Sequence, residues 1–268
     1  ERADQMTIRK ALQLIIILVL ILTTATGCDL LLLGKDRKIK NLFNEKLSFY
    51  PVKNLDDYYH LTPKGEYEKI NAYSGVWIVH TSYSIRKDEI LFDEGAVLYI
   101  DLDNKTAKGN YYKRKIFDDK QKGLTTKETK YKIIMKNNQI KCIDSNVSPA
   151  LKKKIENFKF MSQYSDFKNI KKNQWVIRNY NYTLNNFFAT RNLSNEDEIV
   201  KDLREIYDIK DKSSPSIAMS GASSEFKKDN NLNISLDINF NQNDISISDA
   251  IKFDSGGVGG EDGYGINL

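Results

Sequence analysis

Asn231-Leu232-Asn233-Ile234-Ser235-Leu236-Asp237-Ile238-Asn239-Phe240 alternates apolar and polar side chains without a break. Successive residues of an extended chain point to opposite faces. The stretch therefore predicts a strand with Leu232, Ile234, Leu236, Ile238 and Phe240 toward a core and Asn233, Ser235, Asp237 and Asn239 toward water. A strand of that pattern belongs to an antiparallel sheet covered on one face. Residues 245–253 are expected to return beside it, and residues 216–220 read as a short strand.

Further back, residues 75–83 are rich in Val, Ile, Trp and Tyr and read as a strand. Residues 95–103 and 106–117 read as a hairpin about Asn104-Lys105. That register sets Leu98, Ile100 and Leu102 against Tyr111, Gly109 and Ala107, with Asp101 facing Lys108 on the other side. A second hairpin, 126–136 with 139–144, turns at Asn137-Asn138. It sets Met135 against Ile140 and Ile133 against Cys142, making Cys142 a buried small hydrophobe rather than a nucleophile. Residues 175–193 hold aromatic strand material, and residues 54–71, broken by Pro63 and Gly65, read as irregular.

Three helices complete the pattern. Residues 36–50 place Ile39, Leu42, Phe43, Leu47 and Tyr50 on one face and stop at Pro51. Ser148-Pro149 cap and open a helix expected to reach about Tyr164. Leu151, Ile155 and Phe158 form one apolar stripe, with Phe160, Tyr164 and Phe167 roughly opposite, as suits a seam between layers. Ser194 and Asp197 form a capping box for a helix to Tyr207 that turns Ile199, Leu203 and Ile206 inward. The fold class is α+β, an antiparallel sheet of hairpins with helices packed on it. A faint echo between Leu47–Lys53 and Leu203–Lys210 leaves open two related lobes meeting near Ser148.

The chain has 268 residues, 40% of them hydrophobic and 11% aromatic, enough for a sizeable core and unlike a disordered tail. Its net charge is +5. Lysine clusters at 35–40, 113–115, 152–154 and 168–172 are interspersed with acids and lie far apart. They read as a solvated surface near an anionic membrane or wall polymer, and with no recognition motif they do not indicate nucleic acid.

At the N-terminus, Arg9 and Lys10 precede an apolar run, Leu14–Leu22, which ends in Thr24-Ala25-Thr26-Gly27-Cys28. This is the pattern of a secretory leader with small residues at its cleavage site. The cysteine supplies a thiol for a diacylglyceryl group, and two chains anchor stably where one does so only marginally. Residues 1–27 read as signal peptide, with Met6 as the start of translation, and residues 28–35 as a lipidated tether. Residues 36–253 form the ectodomain and 254–268 a glycine-rich flexible tail. The alternative is one uncleaved membrane helix from Ala11 to Leu33. Ala25, where such leaders usually carry Leu, Val or Ile, and the Leu30–Leu33 run favour that alternative, while Asp29, Thr23, Thr24 and Thr26 inside the span oppose it. Of the two cysteines, Cys28 takes the lipid and Cys142 has no partner, so the mature chain relies on core burial rather than an internal disulfide.

Phe49-Tyr50-Pro51-Val52-Lys53-Asn54-Leu55, Lys105-Thr106-Ala107-Lys108-Gly109, the run Leu151–Phe160 and Leu203-Arg204-Glu205-Ile206-Tyr207 together resemble the staphylococcal tandem lipoproteins. Order and spacing fit from Asn41 to about Phe253. The resemblance implies a surface lipoprotein held in the cell membrane by diacylglyceryl-Cys28 on the extracellular face, encoded in tandem arrays and without known enzymatic activity. It also implies host molecules as partners, through innate receptor stimulation by the lipid and through host-cell entry. A ligand-binding lipoprotein for a wall fragment or small solute is the alternative, and would use Tyr58, Tyr59, Trp77 and Trp175.

Catalytic and metal patterns fit poorly. Asp254-Ser255-Gly256-Gly257 matches a protease nucleophile tetrapeptide, but His60 and His80 lack the surrounding motif and only 11 residues follow. The tail's glycines also miss dinucleotide-loop spacing at Asp262. His60 is expected in a loop and His80 in a strand, and no ligand pair has zinc-site spacing. Asp101, Asp103 and Asn104 read as hairpin-turn residues rather than a calcium loop. Glu196, Asp197 and Glu198 complement a helix dipole. No cofactor and no metal are expected.

Overall fold

The computed structural model describes residues 36–254, apart from 38, 42, 45–46, 62–74, 102–103, 105, 168–169, 171–174, 182–185, 223–232 and 241–243. Two compact units divide at Asn44/Glu45. In the first, residues 36–37, 39–41 and 43–44 are helical, with Lys40 Nζ 2.7 Å from Asp36 one turn earlier. Ile39 and Phe43 are buried there as their spacing predicts.

Among the described residues of the second unit, ten strands form one antiparallel sheet in the order β5-β4-β3-β2-β1-β10-β9-β8-β7-β6. The first half comprises β1 (Val76–Lys87), β2 (Ile90–Asp101), β3 (Thr106–Asp119), β4 (Gly123–Lys136) and β5 (Gln139–Cys142). The second half comprises β6 (Val176–Asn181), β7 (Asn186–Asn192), β8 (Ser216–Ala222), β9 (Asn233–Phe240) and β10 (Ile245–Asp254). Each half is a meander in which chain neighbours pair. The first strand of one joins the last strand of the other, Thr81 opposite Asp249. Alternation along β9 holds: Ile234, Leu236, Ile238 and Phe240 are buried and Ser235, Asp237 and Asn239 half-exposed.

Register fixes the two faces. Trp77, Val79 and Thr81 on β1 share a face with Ile100, Leu98 and Ala96 on β2, and with Phe253, Ile251 and Asp249 on β10. Among the described residues of this unit, the helices lie on that face. They are α1 (Leu55–Leu61), α2 (Pro149–Glu156), α3 (Met161–Tyr164) and α4 (Glu198–Tyr207). Tyr58 of α1 meets Trp77 at 5.8 Å, Phe158 after α2 sits edge-on to Tyr111 at 5.6 Å, and Tyr207 of α4 stacks on Tyr83 at 4.9 Å. The opposite face carries His80, Ser82, Ser84, Asp93, Tyr112 and Arg114 from neighbouring strands.

Glycine is required at Gly95 and Gly109. A Cβ at Gly95 would sit 2.4 Å from the Thr81 carbonyl oxygen, and one at Gly109 1.9 Å from that of Val97. Adjacent strands approach too closely there for any side chain.

The Asn137-Asn138 hairpin forms as read, with φ of 50° and 60°, Met135 opposite Ile140 and Ile133 opposite Cys142. Cys142 is 6% exposed. The β2–β3 hairpin differs from expectation by two residues: Ile100 pairs with Ala107 and Asp101 with Thr106. Asp101 accepts the Asn104 backbone N–H at 2.9 Å and its side-chain amide at 2.8 Å, which closes a wider loop. A slip of two leaves every side chain on its predicted face. β1 and β2 also form a hairpin the composition had not announced, turning at Asp88 with φ 54°.

Three helical expectations are corrected. Residues 55–61, expected to be irregular, form α1, which puts His60 in a helix. The helix from Pro149 ends at Asn157, and a second turn restarts at Met161 after an extended Phe160. One straight helix would present its two stripes on opposite sides. The break turns both to the sheet, burying Ile155, Phe160 and Phe167 together. In α4 the inward residues are Ile199, Val200 and Leu203, while Ile206 is 49% exposed. Ser194 and Asp197 make half of the expected capping box: Asp197 Oδ2 accepts from Ser194 N–H at 2.8 Å, but Ser194 Oγ accepts from Glu196 N–H at 3.2 Å rather than from Asp197. They cap a preceding turn, and the helix proper begins at Glu198.

Candidate functional site

Cys28, the one residue to which the sequence assigns a chemical role, lies outside the described residues, as do the glycine-rich tail and the Asp254–Gly257 match beyond Asp254. Within the described residues, chemistry-bearing groups gather in a cluster on each face, where β1 meets β10 under the helices and across β1, β2 and β3 on the other side.

Asp249 anchors the cluster on the helix-covered face, with 1% exposure. The Tyr50 hydroxyl donates to its Oδ2 at 2.6 Å, and the Thr81 hydroxyl donates to its Oδ1. Thr81 Oγ1 in turn accepts the Met161 backbone N–H at 2.9 Å. A backbone bond from Ser162 also reaches the carboxylate. Ser162 extends the cluster: its Oγ lies 3.2 Å from the Tyr58 hydroxyl, and its carbonyl accepts from Val52 N–H at 2.7 Å. One carboxylate thus ties residues 50–58 and α3 to the two central strands. Burial raises the Asp249 pKa to about 6, because desolvation outweighs the opposing bonds from Thr81, Tyr50 and Ser162. Burial also pushes the Tyr50 phenol well above its usual range, and Asp249 adds to the shift. Tyr50 is therefore a fixed donor.

On the opposite face, His80 is 6% exposed, its Nε2 2.7 Å from the Tyr112 hydroxyl and its ring stacked on Tyr112 at 5.9 Å. Burial lowers its pKa to about 4, with Asp93 working against that shift and Arg114 with it. It is neutral at neutral pH and engaged by a phenol. Ser84 Oγ, on the same face of β1, donates to Asp93 at 2.8 Å. Arg114 grips the same Asp93 through Nε at 2.9 Å and Nη2 at 2.5 Å, with its guanidinium 4.3 Å from the Tyr112 ring centre. Both clusters are closed polar networks whose donors and acceptors spend themselves on each other.

The aromatics proposed to line a ligand pocket are core instead. Trp77, Trp175 and Tyr58 are 0%, 1% and 4% exposed, and Trp77 also packs on Phe253 at 5.0 Å. Tyr59's side chain lies outside the described residues. Between Tyr58, Leu98, Met135 and Phe160 there is a cavity of about 10 Å³, room for roughly one water. Among the described residues no group of His, Cys, Asp or Glu is arranged to hold a metal, and no helix is long and apolar enough to cross a membrane.

Neither cluster was picked out in the sequence, although the parity of the strands contained the signal. Asp249 falls on the apolar register of Ile245, Ile247, Ile251 and Phe253, and Thr81 on that of Trp77 and Val79. An acid at an apolar-face position marks a buried carboxylate.

Fold and clusters define a helix-covered antiparallel sheet whose buried polar groups brace the structure. The model of the Csa1 family matches residues 35–256, and the chain belongs to that family. It is 36% identical over 213 residues to a Staphylococcus aureus (strain MSSA476) protein described as an uncharacterized lipoprotein, covering 79% of this chain and 83% of that one. A Staphylococcus epidermidis protein of the same description is 35% identical over 246 residues, 90% of this chain and 96% of the relative. The resemblance seen in the sequence, to a staphylococcal lipoprotein family, therefore holds.

Proposed function

We propose that this chain is a membrane-anchored surface lipoprotein, held on the extracellular face by diacylglyceryl-Cys28 and displaying its sheet domain to host molecules without catalysing a reaction. The observation that carries the reading is the leader: a cationic start, an apolar run from Leu14 to Leu22, and small residues ending at Cys28, in a chain whose relatives are described as lipoproteins. The domain's own chemistry supports display. Asp249 and His80, the buried groups with the most reactive chemistry, are engaged by Tyr50 and Tyr112, and the aromatics that could have held a solute fill the core. Innate receptors would meet the lipid, and host-surface partners the exposed strands and α4.

The anchor is tested by growing a bacterial host with labelled palmitate. The wild-type chain is expected to carry label in the membrane fraction and Cys28→Ala to carry none. Equal labelling of the two would sink the reading.

A further inference from the structure

The first meander ends in a patch of charge that the fold assembles from three strands. On the face opposite the helices, Lys108 of β3, Ile134 of β4 and Lys141 of β5 stand directly side by side. Lys132 and Lys136 flank Ile134 along β4, two residues to either side. Strand spacing puts Lys108 and Lys141 about 10 Å apart, and Lys132 and Lys136 about 14 Å apart. The result is a cross of four lysines around a half-exposed isoleucine. Ile143, whose N–H bonds the Lys132 carbonyl at 3.0 Å, adds an apolar side chain 54% exposed.

All four lysines are exposed, and among the described residues none forms an ion pair. Nearby carboxylates are occupied: Glu128 by Lys130 at 3.1 Å and Arg114 at 3.8 Å, Asp144 by the Lys132 backbone N–H at 2.6 Å, and Asp101 by Asn104. Scattered lysines on a soluble sheet commonly sit beside acids. Here the acids are spent and apolar side chains take their places.

We infer that this corner of the sheet is a membrane-apposed surface, in which the lysines meet anionic phospholipid headgroups while Ile134 and Ile143 touch the interfacial layer. Cations interleaved with exposed aliphatic groups match the two attractions such an interface offers. The inference rests on the anchor proposed above, since a tethered domain meets the bilayer at a high effective concentration and needs only a weak patch to orient it.

The test uses the full lipidated protein reconstituted into vesicles of phosphatidylglycerol or of phosphatidylcholine, with brief amine acetylation read residue by residue by mass spectrometry. Labelling of Lys108, Lys132, Lys136 and Lys141 is expected to slow roughly fivefold in the anionic vesicles, the factor equivalent to about 1 kcal/mol per lysine at such a surface. Lys120 and Lys122, exposed at the far end of the β3–β4 hairpin, should label alike in both. Lys132→Glu with Lys141→Glu should restore fast labelling at Lys108 and Lys136. Equal labelling in the two vesicle types, with the protein retained on both, would overturn the inference and leave the anchor standing. Protection by soluble polyphosphate with none from the anionic bilayer would also overturn it, assigning the patch to a free polyanion. Protein washed off both vesicle types would remove the anchor and this inference together.

Discussion

The two faces of the sheet around β1 handle buried polarity in opposite ways. On the helix side, a carboxylate sits in the apolar register of Ile247 and Ile251 and is held by hydroxyl and backbone donors, with no ion pair to it among the described residues. On the other side, Asp93 is held by a cation, Arg114, and a neutral histidine stacks alongside. The first arrangement leaves a proton affinity raised by desolvation, and the second leaves one lowered by it. The same physical cost therefore has opposite consequences for pH: Asp249 is easier to protonate, and His80 harder.

The comparison breaks most visibly in its packing. Trp77→Ala on the helix side should cost about 3–5 kcal/mol in denaturant unfolding, the usual loss for a fully buried large aromatic. A loss under about 1 kcal/mol would mean that the helices do not cover this face as described.

Arg114→Ala comes next, at about 2–4 kcal/mol. It leaves the Asp93 carboxylate, only 6% exposed, with Ser84 as its remaining side-chain donor. Replacing both partners, Asp93→Asn with Arg114→Leu, should recover most of that loss. If the double variant is as unstable as the single one, an uncompensated charge is not the cause.

The pH responses sharpen the contrast. A group whose folded pKa is raised stabilises below its unfolded pKa, and that contribution disappears as pH rises. For Asp249 the window runs from about 3.8 to about 6, with a span of about 3 kcal/mol. A group whose folded pKa is lowered stabilises above its unfolded pKa, and that contribution is lost on acidification. For His80 the window runs from about 6.5 down to about 4, with a similar span. The two slopes nearly cancel in the wild type. Asp249→Asn should therefore make stability fall by about 2–3 kcal/mol between pH 6.5 and 4.5, while His80→Gln should make it rise over the same interval. Urea unfolding at the two pH values checks both, and parallel curves for the three proteins would refute the opposition.

The smallest effect belongs to the half-exposed polar register of the alternating strands. Ser235→Ala, on β9 facing away from the helices, should change stability by no more than about 0.5 kcal/mol. A larger loss would show that this side of β9 is packed rather than open.

Legibility followed the range of the forces involved. The Asn137-Asn138 turn is set by two residues that tolerate positive φ, and the register it imposes, with Cys142 buried, could be read directly. The β2–β3 hairpin slipped by two because its loop is closed by the Asp101 side chain, which strand pattern does not reveal. The break before α3 was invisible for a similar reason: apolar spacing alone would carry the helix onward, and only the sheet requires Phe160 and Met161 to face the same layer. Asp249 was legible in parity, but nothing local identified Tyr50, 199 positions away in sequence, as its donor.

By itself the sequence determined the alternating strands, the turns and the caps, because each depends on residues within a few positions of one another. The tertiary structure alone decided that two meanders join through β1 and β10, that one carboxylate ties distant segments across that seam, and that four lysines from three strands surround Ile134. Those features arise from pairing between strands far apart in the chain. Such pairing is selected by the burial and hydrogen bonding of the whole sheet rather than by any one stretch.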